Sequence, residues 1–240
     1  MNQFLNKRPI NQILAALPES EYDRLLPYLE FVELSVGQVL YNPQENITQV
    51  YFPDRGIVSL VYILEDGATA EVGLIGKEGV VGLPVILGGN STINQAIVQI
   101  EGSAYKIDAI RLKNEFDRGG KLQQMLLLYT QALLTQISQT AVCNAQHTIE
   151  ERLARWLLTV QELLDTTEEL PLTQEFISNM LGTRRSGVTV AAGRLQAAGT
   201  ISYRRGKITI LNQEELELIA CECYQILKDE FRRLLSFECD

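Results

Sequence analysis

Residues 170–211 read LPLTQEFISNMLGTRRSGVTVAAGRLQAAGTISYRRGKITIL. Thr173 has the side-chain oxygen of a good helix N-cap. Phe176, Ile177, Met180 and Leu181 follow at helical spacing and predict a first helix of about nine residues. Gly182 breaks it, and Thr183 can cap a second helix, Arg184 to Ala198. Val188, Val190, Ala191 and Leu195 are the expected buried positions of that helix, and Gly199 ends it. ISY and KITIL then flank Arg204-Arg205-Gly206, which reads as a hairpin. Helix, glycine turn, helix and basic hairpin is the layout of a winged helix-turn-helix.

Charge singles out the same stretch. The chain has 240 residues and a net charge of -9, which argues against coating nucleic acid with its whole surface. Residues 171–212 nevertheless hold six basic residues (Arg184, Arg185, Arg194, Arg204, Arg205, Lys207) and one acidic residue, Glu175. Residues 1–170 hold 12 basic and 21 acidic residues, and residues 213–240 hold 3 and 8. One basic island lies in an acidic protein, at the two parts of the motif that touch DNA. Thr183, Arg184, Arg185, Ser186 and Thr189 start the reading helix, with Thr173 and Gln174 at the start of the helix before it. An arginine there can give two donors to guanine O6 and N7. Arg204, Arg205 and Lys207 would meet phosphates beside the groove, positioning the protein without reading sequence.

Upstream, the texture changes twice. Asn11 to Leu29 reads as short helical pieces split by Pro18 and Pro27. From Phe31 to Asp108, short runs rich in Val, Ile and Tyr (FVELSV, QVLY, QVYFP, IVSLVYIL, TAEVGLI, AIVQI, AYKID) are separated by turn signals. Such a pattern predicts an antiparallel sandwich or barrel. Leu122 to Ala141 is again helical. Leu122, Leu126, Tyr129, Leu133 and Ile137 are spaced close to a coiled-coil seam and predict either packing on the helix's own domain or a dimer contact, the latter favoured by its place between two differently built domains. A further amphipathic helix carries Ile149, Leu153, Trp156, Leu157, Val160 and Leu164 on one face. The tail from Asn212 to Asp240 is acidic and amphipathic and suggests one more helix.

The order of β-rich domain, long central helix and winged helix-turn-helix resembles the Crp/Fnr family of bacterial transcription regulators. Two stretches carry the resemblance: EVGLIGKEGVVGLPVILGG (residues 71–89), similar to the family's ligand cassette, and ERLARWLL (residues 151–158) continuing into the helix-turn-helix. The resemblance implies an α+β protein with a jelly-roll-like antiparallel N-terminal domain, a long central dimerisation helix and a C-terminal winged helix-turn-helix. It places a cyclic-nucleotide-binding-like sensor at 1–118, the dimerisation helix at 119–145, the DNA-binding domain at 146–212 and a helical extension at 213–240. It further implies a homodimer on a palindromic operator in double-stranded DNA, with RNA polymerase as a further candidate partner.

The effector site departs from the family's cyclic AMP-binding pattern. That cassette sets a Gly-Glu pair before a short helix and then an arginine for the cyclic phosphate. Here Gly82 is followed by Leu83 and Pro84, and Asn94, Gln95 and Ala96 stand near the position of the arginine. No basic residue lies between Lys77 and Lys106, and a buried phosphate without a cation is costly. Gly82, Leu83, Asn94 and Gln95 remain the candidate effector-pocket residues, for a small molecule that is not cyclic AMP.

Other chemistry is sparse. The only histidine, His147, lies outside the β-rich region, so the His and carboxylate clusters of metal-dependent β-barrel enzymes are not there. No P-loop, G-x-S-x-G or dinucleotide fingerprint occurs, and neither catalytic residues nor a cofactor is expected. Cys143 and His147 are one helical turn apart, but two ligands do not make a site, and no metal is expected. On one helix, Cys221 and Cys223 would diverge by about 200°, so a structural role is their default and a redox role the alternative. Four cysteines are too few for a disulfide scaffold, and no long apolar span or leader-like segment is visible. These features predict a cytoplasmic protein without a membrane partner. The rival to a DNA-binding regulator is a sensory scaffold that retains the fold, and salt-dependent DNA binding separates the two.

Overall fold

A computed structural model describes residues 8–165 and 169–236. These divide into two compact units. The first comprises the described residues of Met1–Leu60, Leu74–Leu134 and Phe231–Asp240, and the second those of Val61–Gly73 and Thr135–Glu230.

The first unit opens with α1 (Gln12–Ala15), α2 (Glu19–Leu25) and a 3-10 turn at Leu26–Tyr28. Pro18 and Pro27 sit at the starts of the last two, where a missing N–H costs nothing. Five strands follow, β1 (Glu30–Leu34), β2 (Val39–Tyr41), β3 (Gln49–Ile63), β4 (Thr69–Ile75) and β5 (Gln95–Asp108), of which the end of β3 and most of β4 fall within Val61–Gly73 of the second unit. They form one sheet in the order β1-β5-β3-β4, with β2 also paired to β5. The β1–β5 register sets Phe31 opposite Tyr105 and Leu34 opposite Gly102. Short α3 (Pro84–Leu87) stands between β4 and β5, and α4 (Ala109–Asp117) follows β5.

The expected turn at Asp54-Arg55-Gly56 is not a chain reversal, and neither is Glu101-Gly102. QVYFP and IVSLVYIL join into the 15-residue β3, and AIVQI and AYKID into the 14-residue β5. The glycines are there for another reason. A Cβ at Gly56 would come within 2.5 Å of the Ile100 carbonyl oxygen, and one at Gly102 within 2.2 Å of that of Arg55. Glycine lets the two backbones approach in mid-strand.

The long helix α5 (Lys121–Gln146) is shared between the units. It begins with Glu21 accepting from the Lys121 and Leu122 amides, both at 2.9 Å. The second unit then builds α6 (Ile149–Leu164), α7 (Gln174–Met180), α8 (Arg185–Ala197), the hairpin β6 (Ile201–Arg204) and β7 (Lys207–Ile210), α9 (Gln213–Ile219) and α10 (Cys223–Leu235). A capping box of Thr148 and Glu151 starts α6, a device worth roughly 1 kcal/mol. The single tail helix expected from sequence is two helices, because the chain leaves the helical path at Ala220 (ψ 145°). Among the described residues no helix is long and apolar enough to cross a membrane.

Candidate nucleic-acid interface

The reading head rests on buried support. Thr173 caps α7, its hydroxyl accepting from the Phe176 amide at 3.2 Å. The turn after α7 is clamped from below, where the buried Arg152 guanidinium donates to the Leu181 carbonyl. Trp156, 1% exposed, donates its indole N–H to the buried Glu71 carboxylate at 2.9 Å. Helix α8 packs on α6 through Val188, Ala191, Ala192 and Leu195. The approach is close at Gly187, where a Cβ would lie 2.7 Å from Ile149 Cδ1.

Two details of α8 correct the sequence expectation. The helix begins one residue later, and its N-cap is Arg184, whose side chain makes no cap bond; Thr183 stands before it. The first N–H groups of a helix have no partner within it, so Arg184 and Arg185 flank a helix end that favours anions. Val190, expected in the core, is 56% exposed. The buried stripe runs through Val188, Ala191, Ala192 and Leu195 instead, and Val190 falls outside it.

The sequence-predicted residues form an exposed face. Arg184, Arg185, Ser186 and Thr189 are exposed along the first turns of α8. Thr189 Oγ donates to either the Gln174 side-chain oxygen at 2.9 Å or the Arg185 carbonyl at 3.0 Å, which ties α7 to α8. The hairpin turns on Arg205 and Gly206, at φ 51° and 75°, between the paired Arg204 and Lys207. Two successive positive φ values match the two-residue turns that suit strand twist. Leu170 extends the hairpin by a two-way backbone bridge with Ile208, at 2.7 and 2.9 Å. A shallow depression brings together Thr173, Gln174, Arg185, Tyr203, Arg205 and Gly206. Thr183, Arg184, Ser186, Thr189, Arg204 and Lys207 lie outside that lining.

Not all six basic residues are equally available. Lys207 pairs with Glu169 at 2.9 Å and Arg194 with Glu150 at 3.3 Å. Exposed pairs of this kind are worth about 0–1 kcal/mol, so phosphate can displace them. Tyr203 was missed by the sequence reading. It lies in the depression beside Arg185, and burial pushes its hydroxyl up from the usual tyrosine value. Its only sequence signal is an aromatic ring next to the basic turn.

The other predicted positions fare differently. Leu122, Leu126, Tyr129 and Leu133 do not form an open seam: all four are buried within the chain itself, and Ile137 is half-buried. The Tyr129 ring fills the space above Gly79, where a Cβ would clash at 2.3 Å. The large apolar residues that α5 exposes are Leu127, Leu134 and Val142, at 49%, 60% and 50%. At the cassette, Leu83 is buried before α3 and Gly82 holds φ 111° against Val50. Asn94 accepts from the Tyr41 hydroxyl at 3.2 Å, and Gln95 donates to the Asn42 side-chain oxygen at 3.0 Å.

Comparison with known proteins agrees with this geometry. The family described as a Crp-like helix-turn-helix domain matches residues 151–219, and the cyclic nucleotide-binding domain family matches residues 31–118. No curated protein matches. Among solved structures, FixK2 from Bradyrhizobium japonicum is similar at 20% identity and a TM-score of 0.70, over 80% of this chain and 98% of that one. A putative regulator of the Crp/Fnr family from Eubacterium rectale reaches 18% and 0.68, over 85% and 94%. A CRP/FNR-family transcriptional regulator from Thermus thermophilus reaches 23% and 0.67, over 80% and 98%. With both domain families present in this order, the chain belongs to the Crp/Fnr family of transcription regulators.

Proposed function

We propose that this chain is a sequence-specific regulator that binds a palindromic operator as a homodimer and responds to an effector other than cyclic AMP. The observation that carries the reading is the exposed set of Arg184, Arg185, Arg204 and Arg205, split between the start of α8 and the hairpin turn. The first pair stands where base edges are read, and the second where a wing grips phosphates. Residues 1–118 act as the sensor, 119–145 as the dimer helix and 146–212 as the reading domain.

The dimer contact is assigned to Leu127, Leu134 and Val142, replacing the seam read from sequence. Their spacings of seven and eight suit a helix-to-helix stripe. After Lys121 the 26-residue α5 carries no charged residue, so its exposed side is neutral along its length. A second copy is the fitting cover for such a face. Two reading helices would then address half-sites about 34–36 Å apart. The protein works in the cytoplasm without a catalytic role, and RNA polymerase is a candidate partner at the promoter.

Selection of binding sites from a random DNA pool by the full-length protein tests the reading. A recovered palindrome is the expected result. No DNA binding even at low salt would overturn it in favour of a scaffold role.

A further inference from the structure

The two cysteine features that look unrelated in the sequence meet in the second unit. Cys143 and His147 come from the last turn of α5 and the residue after it, and Cys221 and Cys223 from the break between α9 and α10. Their donor atoms all lie within 4.8 Å of one another. Cys143 Sγ is 3.5 Å from Cys221 Sγ, and Cys223 Sγ is 3.5 Å from His147 Nδ1. The break at Ala220–Glu222 makes this possible: the two thiols of Cys-x-Cys are not on one helix and do not diverge. All three cysteines are free and buried, and they form an interior cluster of their own.

We propose that Cys143, His147, Cys221 and Cys223 bind one tetrahedral Zn²⁺ per chain. Zn–S bonds of about 2.3 Å and Zn–N bonds of about 2.0–2.1 Å set neighbouring donors of a tetrahedron roughly 3.5–3.8 Å apart. The Cys143–Cys221 and Cys223–His147 separations, 3.5 Å each, are at that edge length. A multi-iron cluster would hang its cysteines on different metal atoms, further apart than these.

The surroundings match a metal site beyond its four donors. His147 turns Nδ1 to the thiols while its Nε2 faces the Glu222 carboxylate at 3.2 Å. A carboxylate behind a ligating imidazole fixes its tautomer and aim. Gln139, one helical turn before Cys143, donates to Cys223 Sγ at 3.1 Å. Three thiolates, a neutral imidazole and Zn²⁺ sum to one negative charge. The buried guanidiniums of Arg152 and Arg155 on α6 act on the same thiols and offset it.

The consequence is a staple. The ligand pairs are 78 residues apart in sequence (Cys143 to Cys221), and the reading helix and wing lie between them. One ion closes that loop and ties the end of α5 to the start of α10. Metal binding is then linked to the stability of the whole DNA-binding unit.

The test uses the full-length protein purified under reductant. Metal analysis should find one zinc per chain. Replacement by Co²⁺ should give the visible bands of a tetrahedral thiolate complex. Cys143→Ser and Cys221→Ser should lose that spectrum, and Cys239→Ser should keep it. Glu222→Gln retains all four donors and serves if the serine variants fail to fold; its zinc affinity, read by competition with a chromophoric chelator, should fall about 10–100-fold. Chelation of the native protein should lower its melting temperature. An octahedral Co²⁺ spectrum, iron with acid-labile sulfide, a Cys143–Cys221 disulfide in place of metal, loss of the spectrum in Cys239→Ser, or an unchanged affinity in Glu222→Gln would each overturn the assignment.

Discussion

The cassette of the first unit and the reading face of the second treat polarity in opposite ways. Around the cassette, Asn94 and Gln95 hydrogen-bond to Tyr41 and Asn42, Leu83 is buried, and residues 78–105 contain no cation. On the reading face, Arg184, Arg185, Arg204 and Arg205 stand exposed over a buried frame of Trp156, Arg152 and Leu181. A site for a polyanion needs charge that water can hold cheaply until the partner arrives. The cassette segment carries no such charge, so it offers a phosphate no cationic partner of its own.

The contrast makes graded predictions. The largest effect should come from beneath the face: Trp156→Ala removes a fully buried ring together with its N–H bond to Glu71, and should cost about 3–5 kcal/mol in urea unfolding. A loss below about 1 kcal/mol, the ordinary effect of a point substitution, would mean that the frame is not what holds the arginines. Arg185→Ala should leave unfolding unchanged and reduce operator affinity by about 1–3 kcal/mol, with relaxed base preference at one position of each half-site. Uniform weakening over all sequences would move Arg185 from reading to gripping. Arg205→Asn keeps a residue that tolerates positive φ and takes away the charge proposed to meet a phosphate. It should weaken all sequences alike and lower the slope of log K against log salt by about 0.9 for each phosphate no longer neutralised. The smallest effect belongs to the cassette. Cyclic AMP should give no heat of binding by isothermal titration, and micromolar affinity would erase the contrast.

Periodic and capped segments were legible in the sequence. Thr173 announced α7, Gly182 and Gly199 bounded α8, and Arg205-Gly206 turned the hairpin, because each acts within a few residues of itself. Long-range contacts were not. Gly56 reads as a turn, and only the neighbouring strand reveals that it, like Gly102, serves close approach. The heptad of Leu122, Leu126, Tyr129 and Leu133 looked like a seam because periodicity marks a buried stripe without saying what buries it. Cys143-x3-His147 and Cys221-x-Cys223 each looked incomplete for the same reason, being halves of one cluster brought together by the helix break at Ala220.

The uncapped start of α8 has a dynamic meaning. Because Arg184 supplies no cap bond, the leading amides of the reading helix are left to solvent, and their exchange with deuterium should be fast in the free protein. A DNA phosphate seated on that end would supply the missing acceptor. Slowed exchange at Arg185 and Ser186 on operator binding would then mark the target itself as the cap, so that the helix is completed by the molecule it reads.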